Sequence, residues 1–113
     1  MLESTVEKYL VNQLRVLGLQ DVECRCVVKK MGGPGWRGWP DRMVLFRSLT
    51  AAPGITHWVE LKRPKGGKFE PLQLRNHAVL RRMGFVVRVI NSKLQVDAYI
   101  EELFTKSPCL VEA

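Results

Sequence analysis

Residues 38–46 read GWPDRMVLF, and this stretch decides the fold because a loop leads directly into a buried strand. The glycines and prolines of this segment and of the residues before it are typical of a loop. The four apolar residues 43–46 are typical of a strand that is buried on both faces. Asp41 lies between the two, so it is either a turn residue or a group that takes part in chemistry. The rest of the chain is needed to decide between these interpretations.

The elements around this strand are predicted from apolar periodicity, which recurs every three to four residues in helices and alternates or runs continuously in strands. The resulting order is α-β-β-β-α-β-α. We expect an α/β protein whose two most apolar strands, 42–46 and 85–90, lie at the centre of a mixed sheet with helices on both faces. The helix before the last strand is long enough for a crossover, which permits parallel pairing there. The predicted helices are 4–18, 71–83 and 92–106, and the predicted strands are 22–30, 42–46, 56–62 and 85–90.

Local signals mark the ends of two of these helices. Ser4 with Glu7, and Ser92 with Gln95, have the spacing of capping boxes, in which each side chain satisfies a backbone N–H at the helix start. Gly18 is expected to end the first helix, since glycine readily adopts the conformation found just after a helix.

Length and composition indicate one soluble domain. The chain has 113 residues, enough for a modest core, and its apolar fraction of 46% is ordinary. We assign residues 1–106 to the domain and 107–113 to a C-terminal tail. No apolar run approaches the ~18 residues of a membrane span. The N-terminus MLESTVEKYL lacks the basic-then-apolar order of a signal peptide, so we expect a cytoplasmic protein with no membrane contact.

The charge balance points to an acidic partner. Eighteen Lys and Arg against eleven Asp and Glu give a net charge of +7, which favours nucleic acid over the alternative of a soluble protein that is merely basic. Cys24, Cys26 and Cys109 have no metal-ligand spacing with His57 or His77, so zinc and a disulfide scaffold are not expected. The two histidines are predicted to be structural.

The strand at 56–62 offers a site for Asp41. Alternation along the strand puts Trp58, Glu60 and Lys62 on one face. If this strand pairs with 42–46 as a hairpin, Asp41 meets Glu60 and Lys62 at one edge of the sheet. Two carboxylates and a carbonyl oxygen are the hard ligands that Mg²⁺ prefers. The lysine ammonium can hold a water or offset charge on a phosphate.

These residues carry a resemblance to known nucleases. PD followed by E-x-K on the next strand is the signature of the PD-(D/E)xK nuclease superfamily. The segments GWPDRMVL, VELKRPKGG and PLQLRNHAVLRRMGFVVRVI closely resemble the virus-type replication-repair nuclease (VRR-NUC) family. The resemblance covers residues 3–104. It implies a restriction-endonuclease-like core and metal-dependent cleavage of DNA phosphodiesters.

The resemblance also implies roles for single residues. Lys62 would orient the attacking water. Gln73 matches the family's helix-opening glutamine and would contact Lys62, the water or a scissile phosphate. The ion would be Mg²⁺ or Mn²⁺, with one or two ions left open and no small-molecule cofactor. The implied metal ligands are Glu7, Asp41, Glu60 and the backbone carbonyl of Leu61.

Each of these residues also has a plainer interpretation. The Glu7 carboxylate is required by the capping box with Ser4, which competes with a metal role. Asp41 after a proline fits a simple turn, and Glu60 with Lys62 fits a solvated ion pair. Gln73 fits a surface position on its helix.

Residues flanking the site are predicted to bind DNA. Trp36, in a glycine-rich loop, is a candidate for stacking on a base, whereas Trp58 either walls the site or belongs to the core. Six basic residues are predicted to bind phosphates and not bases, so recognition should follow DNA shape. These residues are Arg37, Arg42, Arg63, Lys65, Lys68 and Arg75.

The function expected from the resemblance is a homodimeric endonuclease for branched or flapped DNA, with a Holliday junction resolvase as its most specific form. A two-fold dimer would suit a two-fold junction. Such a protein fits DNA repair in a bacterium or a phage-infected cell. The alternatives are a non-catalytic, structure-selective DNA-binding module with a nuclease-like fold, and a restriction-type nuclease that reads sequence.

Overall fold

The computed structural model describes residues 3–20, 24–32, 35–48, 54–63 and 68–106, and these form three helices and four strands. Their order is the predicted α-β-β-β-α-β-α. No described helix is long and apolar enough to cross a membrane. The predicted tail at 107–113 lies outside the described residues. The elements are α1 (Glu3–Gln20), β1 (Cys24–Lys30), β2 (Arg42–Ser48), β3 (Ile55–Leu61), α2 (Pro71–Arg82), β4 (Val86–Ile90) and α3 (Lys93–Lys106).

The four strands form one mixed sheet in the order β1-β2-β3-β4. The pairs β1–β2 and β2–β3 are antiparallel, whereas β3 and β4 are parallel and joined through α2, as the crossover prediction requires. The predicted central position of the strand at 85–90 is wrong, because β4 lies at an edge of the described sheet. Helices cover both faces of β4, so its sequence is as apolar as that of a central strand and does not reveal its lateral position.

Helices lie on both faces of the sheet, as predicted, and each face has its own core. On the first face, α1 and α3 pack against side chains of β2, β3 and β4. On the opposite face, Trp58 of β3 packs with Leu80 of α2 and Val87 of β4. The buried members of the first core are Val6, Leu10, Leu14, Val44, Phe46, Val59, Leu61, Ile90, Val96, Tyr99 and Leu103.

The predicted limits of α1 are wrong at both ends. The helix begins at Glu3 and already contains Ser4, so Ser4 is not the residue that caps it. The Glu7 carboxylate instead accepts a hydrogen bond from Arg42 Nε at 2.8 Å. The helix also continues through Gly18 to Gln20. A glycine inside a helix costs only about 1 kcal/mol, which the packing of α1 on the sheet can offset.

The start of α3 follows its predicted capping pattern with one change. Ser92 Oγ accepts a hydrogen bond from the Gln95 N–H at 3.2 Å. Gln95 Oε1 accepts from the N–H of Asn91, at 2.7 Å, and not from that of Ser92. The side chain therefore satisfies a donor one residue earlier than the capping box predicts.

Gly38 fixes the loop that leads into β2. Its φ of 81° favours glycine, and a Cβ at this position would lie 2.6 Å from Leu72 Cγ of α2. The same contact region includes a hydrogen bond from Asn76 Nδ2 to the carbonyl of Arg37. The absence of a side chain at position 38 lets the loop lie against α2, so that the chain enters β2 at Asp41.

Candidate functional site

Asp41 is held where the loop meets the sheet. Its backbone carbonyl accepts a hydrogen bond from the Met31 N–H at 2.8 Å, which extends the β1–β2 pairing by one step. Its Oδ2 accepts from the Leu61 N–H at 2.8 Å. This second bond joins the start of β2 to the end of β3, as the antiparallel register of Arg42 with Val59 requires. The expected hairpin pairing thus brings Asp41 to the strand that carries Glu60.

Glu60 and Lys62 lie on the face of β3 that α2 covers. Glu60 is 1% exposed, which is unusual for a carboxylate. Lys62 Nζ lies 3.3 Å from Glu60 Oε2. The same ammonium donates to the carbonyl of Lys68 at 2.7 Å and lies 4.8 Å from the centre of the Phe69 ring. The pair is therefore buried and fixed, unlike the solvated surface pair that remained as an alternative.

Gln73 joins the two members of this pair. Its Nε2 donates to Glu60 Oε2 at 3.0 Å, and its Oε1 accepts from Lys62 Nζ at 3.1 Å. Oε1 also accepts from the Glu70 N–H at 3.0 Å, which satisfies a donor at the start of α2. Of the three contacts expected for Gln73, the structure contains the one with Lys62 and adds the one with Glu60. Its side chain is half-buried.

Both acids of the site are harder to ionise than ordinary carboxyls. The pKa of Glu60 is raised to about 7, chiefly by burial and also by the charge of Asp41, while Lys62 opposes the shift. Burial also raises the pKa of Asp41, against the lowering effect of its hydrogen bond from Leu61. Positive charge close to a carboxyl favours its ionised form, so a cation bound beside Asp41 and Glu60 would oppose the effect of burial on both.

The first helix contributes acidic charge from two residues. Glu3 raises the pKa of both Asp41 and Glu60, whereas Glu7 raises only that of Asp41. Glu7 is paired with Arg42 at 2.8 Å. The sequence-based prediction included Glu7 and missed Glu3. The signal was present, because residues four apart lie on the same face of a helix.

His77 of α2 was predicted to be structural, yet it faces the site. Its Nε2 lies 3.8 Å from Glu60 Oε1, and both atoms are buried with no hydrogen-bond partner among the residues that the structure describes. Burial lowers the pKa of His77, with Arg81 and Lys62 acting in the same direction, so the neutral form of the ring is favoured. The Phe69 ring packs edge-on against the imidazole. The sequence contained a signal for this position, because residues 73 and 77 are four apart and therefore lie on the same face of a helix.

The oxygen donors of the site suit a divalent cation that keeps part of its water shell. Among the described residues, no three His, Cys, Asp or Glu side chains are close enough together to hold a metal ion. Mg²⁺ commonly binds proteins through one or two carboxylates and completes its shell with water and substrate phosphate. Asp41 and Glu60 supply two carboxylates, and within the described residues the buried Glu60 Oε1 accepts no hydrogen bond.

The residues predicted to bind DNA differ in their exposure. Arg42 is half-buried in its ion pair with Glu7, whereas the remaining described basic residues of the set are exposed. Lys65 lies outside the described residues. Trp36 is 43% exposed and packs edge-on against Trp39, which in turn contacts Trp58. Trp58 belongs to the core of the α2 face. The exposed basic residues are Arg37, Arg63, Lys68 and Arg75.

Comparisons with known proteins identify relatives of this arrangement. No family model matches the chain. "Putative nuclease p44" of Acyrthosiphon pisum secondary endosymbiont phage 1 is 37% identical over 91 residues, which cover 80% of this chain and 84% of that protein. A solved structure described as a VRR_NUC domain superposes with a TM-score of 0.68 at 33% identity. The match covers 88% of this chain and 94% of that structure.

Proposed function

The chain belongs to the VRR-NUC family of nucleases, and from this we propose that it hydrolyses phosphodiester bonds in DNA with the help of Mg²⁺ or Mn²⁺. One observation carries the metal-dependent part of the proposal. Glu60 is a buried carboxylate with a raised pKa and an unpartnered oxygen, and it lies beside Asp41, Lys62 and Gln73. Perturbed acids next to a lysine are typical of catalytic sites.

The ion would be held by Asp41, Glu60 and the backbone carbonyl of Leu61. When bound, it lowers the pKa of a water and offsets charge on the phosphate. Glu7 would help to hold the ion through a water, in which case its carboxylate would no longer pair with Arg42. Glu3 adds negative charge at the same place, as its effect on both acids indicates.

Lys62 is proposed to orient the attacking water. Its ammonium has three N–H donors, and its three near acceptors are the Lys68 carbonyl, Gln73 Oε1 and Glu60 Oε2. The contact with Glu60 Oε2, at 3.3 Å, is the longest of the three, so its N–H is the donor that would bind the water, while Gln73 and the Lys68 carbonyl hold the ammonium in place.

The preferred substrate is proposed to be branched DNA, including four-way junctions, cut by a homodimer. No described element has the features of a base-reading helix, so contacts to phosphates and to DNA shape would select the substrate. Two identical sites related by a two-fold axis would match the symmetry of a junction. The similarity to a phage protein favours action in the cytoplasm of a bacterium or a phage-infected cell.

Cleavage assays with variants test the proposal. Labelled four-way junction, flap and plain duplex are incubated with the protein in Mg²⁺, Mn²⁺ or EDTA, and the assay is repeated with Asp41→Asn. Asp97→Asn is the matched control, because Asp97 accepts a hydrogen bond from Tyr9 far from the site and asparagine can replace that acceptor. We expect metal-dependent cutting by the wild type and the control, and a loss of 10²-fold or more for Asp41→Asn.

Two outcomes would replace the proposal. Tight binding of branched DNA without cutting in either metal would identify a non-catalytic binding module. Cutting of plain duplex at one sequence would identify a nuclease that reads bases. Equal cutting by Asp41→Asn and the wild type would remove Asp41 from the mechanism.

A further inference from the structure

A basic groove lies on α1, on the side that borders β1 and β2. It has a volume of about 370 Å³, and residues of the helix line one side of it. Lys30 and Arg42, which are register partners at the ends of β1 and β2, line the other side. Of the described residues that the sequence predicted to bind DNA, Arg42 alone lines this groove. The residues that carry the argument are Glu7, Lys8, Asn12, Arg15, Lys30 and Arg42.

The cations of this groove, hereafter the α1 groove, are not neutralised. Its one acid, Glu7, is paired with Arg42. Lys8, Arg15 and Lys30 are exposed, and within the described part of the chain none of them forms an ion pair. The groove therefore has three uncompensated positive charges in a concave surface. Such a surface attracts phosphates more strongly than isolated lysines do.

The helix sets the spacing of these charges. Lys8 and Arg15 are seven residues apart, which is about 10 Å along the axis and two turns on the same side. Asn12 lies between them and offers an amide donor. Successive phosphates of one DNA strand advance about 3.4 Å along the duplex axis. With α1 along the duplex axis, the two cations would therefore span about three steps between successive phosphates.

The groove is adjacent to the candidate active site. Lys30 immediately precedes Met31, whose N–H bonds to the backbone carbonyl of Asp41. Glu7 lines the groove and raises the pKa of Asp41 through its charge. A DNA strand whose phosphate reaches Asp41 can therefore continue into the groove without a gap.

We propose that the α1 groove binds backbone phosphates of the DNA strand next to the scissile phosphate, with Lys8, Arg15 and Lys30 as the binding residues. The inference rests on the proposed nuclease function and adds to it a second contact surface on α1, whereas Arg75 belongs to α2, which covers the opposite face of the sheet. Contacts on both sides hold the strand across the site. They contribute affinity that does not depend on sequence.

The test measures DNA binding without cleavage. Fluorescence anisotropy is recorded in EDTA with a four-way junction, from 50 to 200 mM salt, for the wild type, Lys8→Gln, Arg15→Gln, Lys30→Gln and the triple variant. Each lost contact should reduce the slope of log affinity against log salt by about 0.9, and the triple variant should bind at least about tenfold more weakly. The matched control is Arg82→Gln, an exposed arginine at the far end of α2, which should change neither quantity.

Three further arms make the result decisive. Lys8→Arg should keep wild-type affinity, and thermal melts should show that all variants fold. An unchanged affinity and salt slope in the triple variant, while the wild type still cuts, would overturn the groove alone. Absence of DNA binding by the wild type would overturn the nuclease proposal as well.

The groove could bind phosphates of the DNA backbone or a terminal 5′ phosphate. Binding is therefore compared for DNA with and without 5′ phosphates. If the triple variant loses affinity only for DNA that carries 5′ phosphates, the groove binds DNA ends and not the backbone.

Discussion

At the scale of single residues, Glu60 lowers the stability of the fold but is suited to a role in the site. A buried carboxyl with an unpartnered oxygen costs free energy when it ionises, and this cost is what raises its pKa. The same property makes the side chain a receptive ligand for a cation. The burial of Glu60 and the hydrogen bond from Gln73 hold one carboxylate oxygen in a fixed place before any ion binds.

Glu60→Gln should stabilise the metal-free protein at high pH. The folded-state pKa of Glu60, about 7, lies above the ordinary value of 4.5, so the folded protein holds this proton more tightly than the unfolded chain does. The resulting stabilisation of the wild type is complete below pH 4.5 and is lost as the pH rises through 7. Glutamine does not ionise, so the variant does not lose stability in this way. At pH 8 in EDTA its free energy of unfolding should exceed that of the wild type by on the order of 1–3 kcal/mol. Urea unfolding measures the difference.

The control for this prediction is Glu101→Gln, an exposed glutamate of α3. The difference between Glu60→Gln and the wild type should shrink towards pH 5, while the control should stay within about 0.5 kcal/mol of the wild type throughout. A difference between Glu60→Gln and the wild type that does not change between pH 5 and pH 8 would contradict the raised pKa.

Metal affinity should fall as the medium becomes acidic. A carboxyl must release its proton to bind a divalent ion, and the pKa of Glu60 is about 7. The apparent affinity for Mn²⁺, measured by titration calorimetry, should therefore weaken about tenfold for each pH unit below 7 and level off above it. Asp41→Asn should show little binding at any pH. An affinity that is constant from pH 6 to 8 would rule out Glu60 as a ligand.

At the scale of elements, the site depends on how α2 and the loop before β2 meet. Gln73 reaches Glu60 and Lys62 because it lies in the first turn of α2, where its side chain also satisfies the Glu70 N–H. On the other side of the helix start, Leu72 fills the space beside Gly38. One helix end therefore positions both the acid–lysine pair and the entry to Asp41.

Gly38→Ala should destabilise this junction and reduce activity. The residue has a φ of 81°, and an added Cβ would lie 2.6 Å from Leu72 Cγ and 2.8 Å from Asn76 Nδ2. We expect a loss of about 2–3 kcal/mol in the free energy of unfolding, together with a lower kcat because Asp41 shifts. Gly84→Ala is the control. It has a φ of 92° but nothing within 4 Å of the added Cβ, so only the conformational cost of about 1 kcal/mol remains. Equal losses in both variants would show that the contact with α2 is unimportant.

At the scale of the whole molecule, the two faces of the sheet differ in the side chains that they bury. The face covered by α1 and α3 holds the larger apolar core, whereas the face covered by α2 holds Glu60, Lys62 and His77 among fewer apolar residues. Stability from the first face can compensate for the buried polar groups of the second. Such a division is expected where a site contains groups that burial disfavours.

Leu10→Ala should therefore affect stability more than the chemistry. Leu10 is fully buried in the core of the first face, and its truncation should cost about 2–5 kcal/mol. This is a large part of the 5–15 kcal/mol that holds a typical domain folded. Leu94→Ala, at a position 80% exposed, should leave the melting temperature within about 2 °C of the wild type. Calorimetric melts measure both, and kcat below the melting temperature should stay near the wild-type value for each variant.

The sequence by itself determined the order of elements, the mixed sheet with helices on both faces, and the approach of Asp41 to the strand of Glu60 and Lys62. These follow from apolar periodicity and from antiparallel pairing of neighbouring strands, which are local properties of the chain. The resemblance of the segments around these residues to the VRR-NUC family then predicted a function.

Only the tertiary structure decided the partners of the side chains. It pairs Glu7 with Arg42, turns His77 towards Glu60, adds the charge of Glu3 and leaves the α1 groove open. It also puts β4 at the edge of the sheet. The physical reason is that these contacts join residues far apart in the chain, and they depend on the angles at which the helices pack on the sheet. Periodicity gives the face on which a side chain lies, but not the group that it meets there.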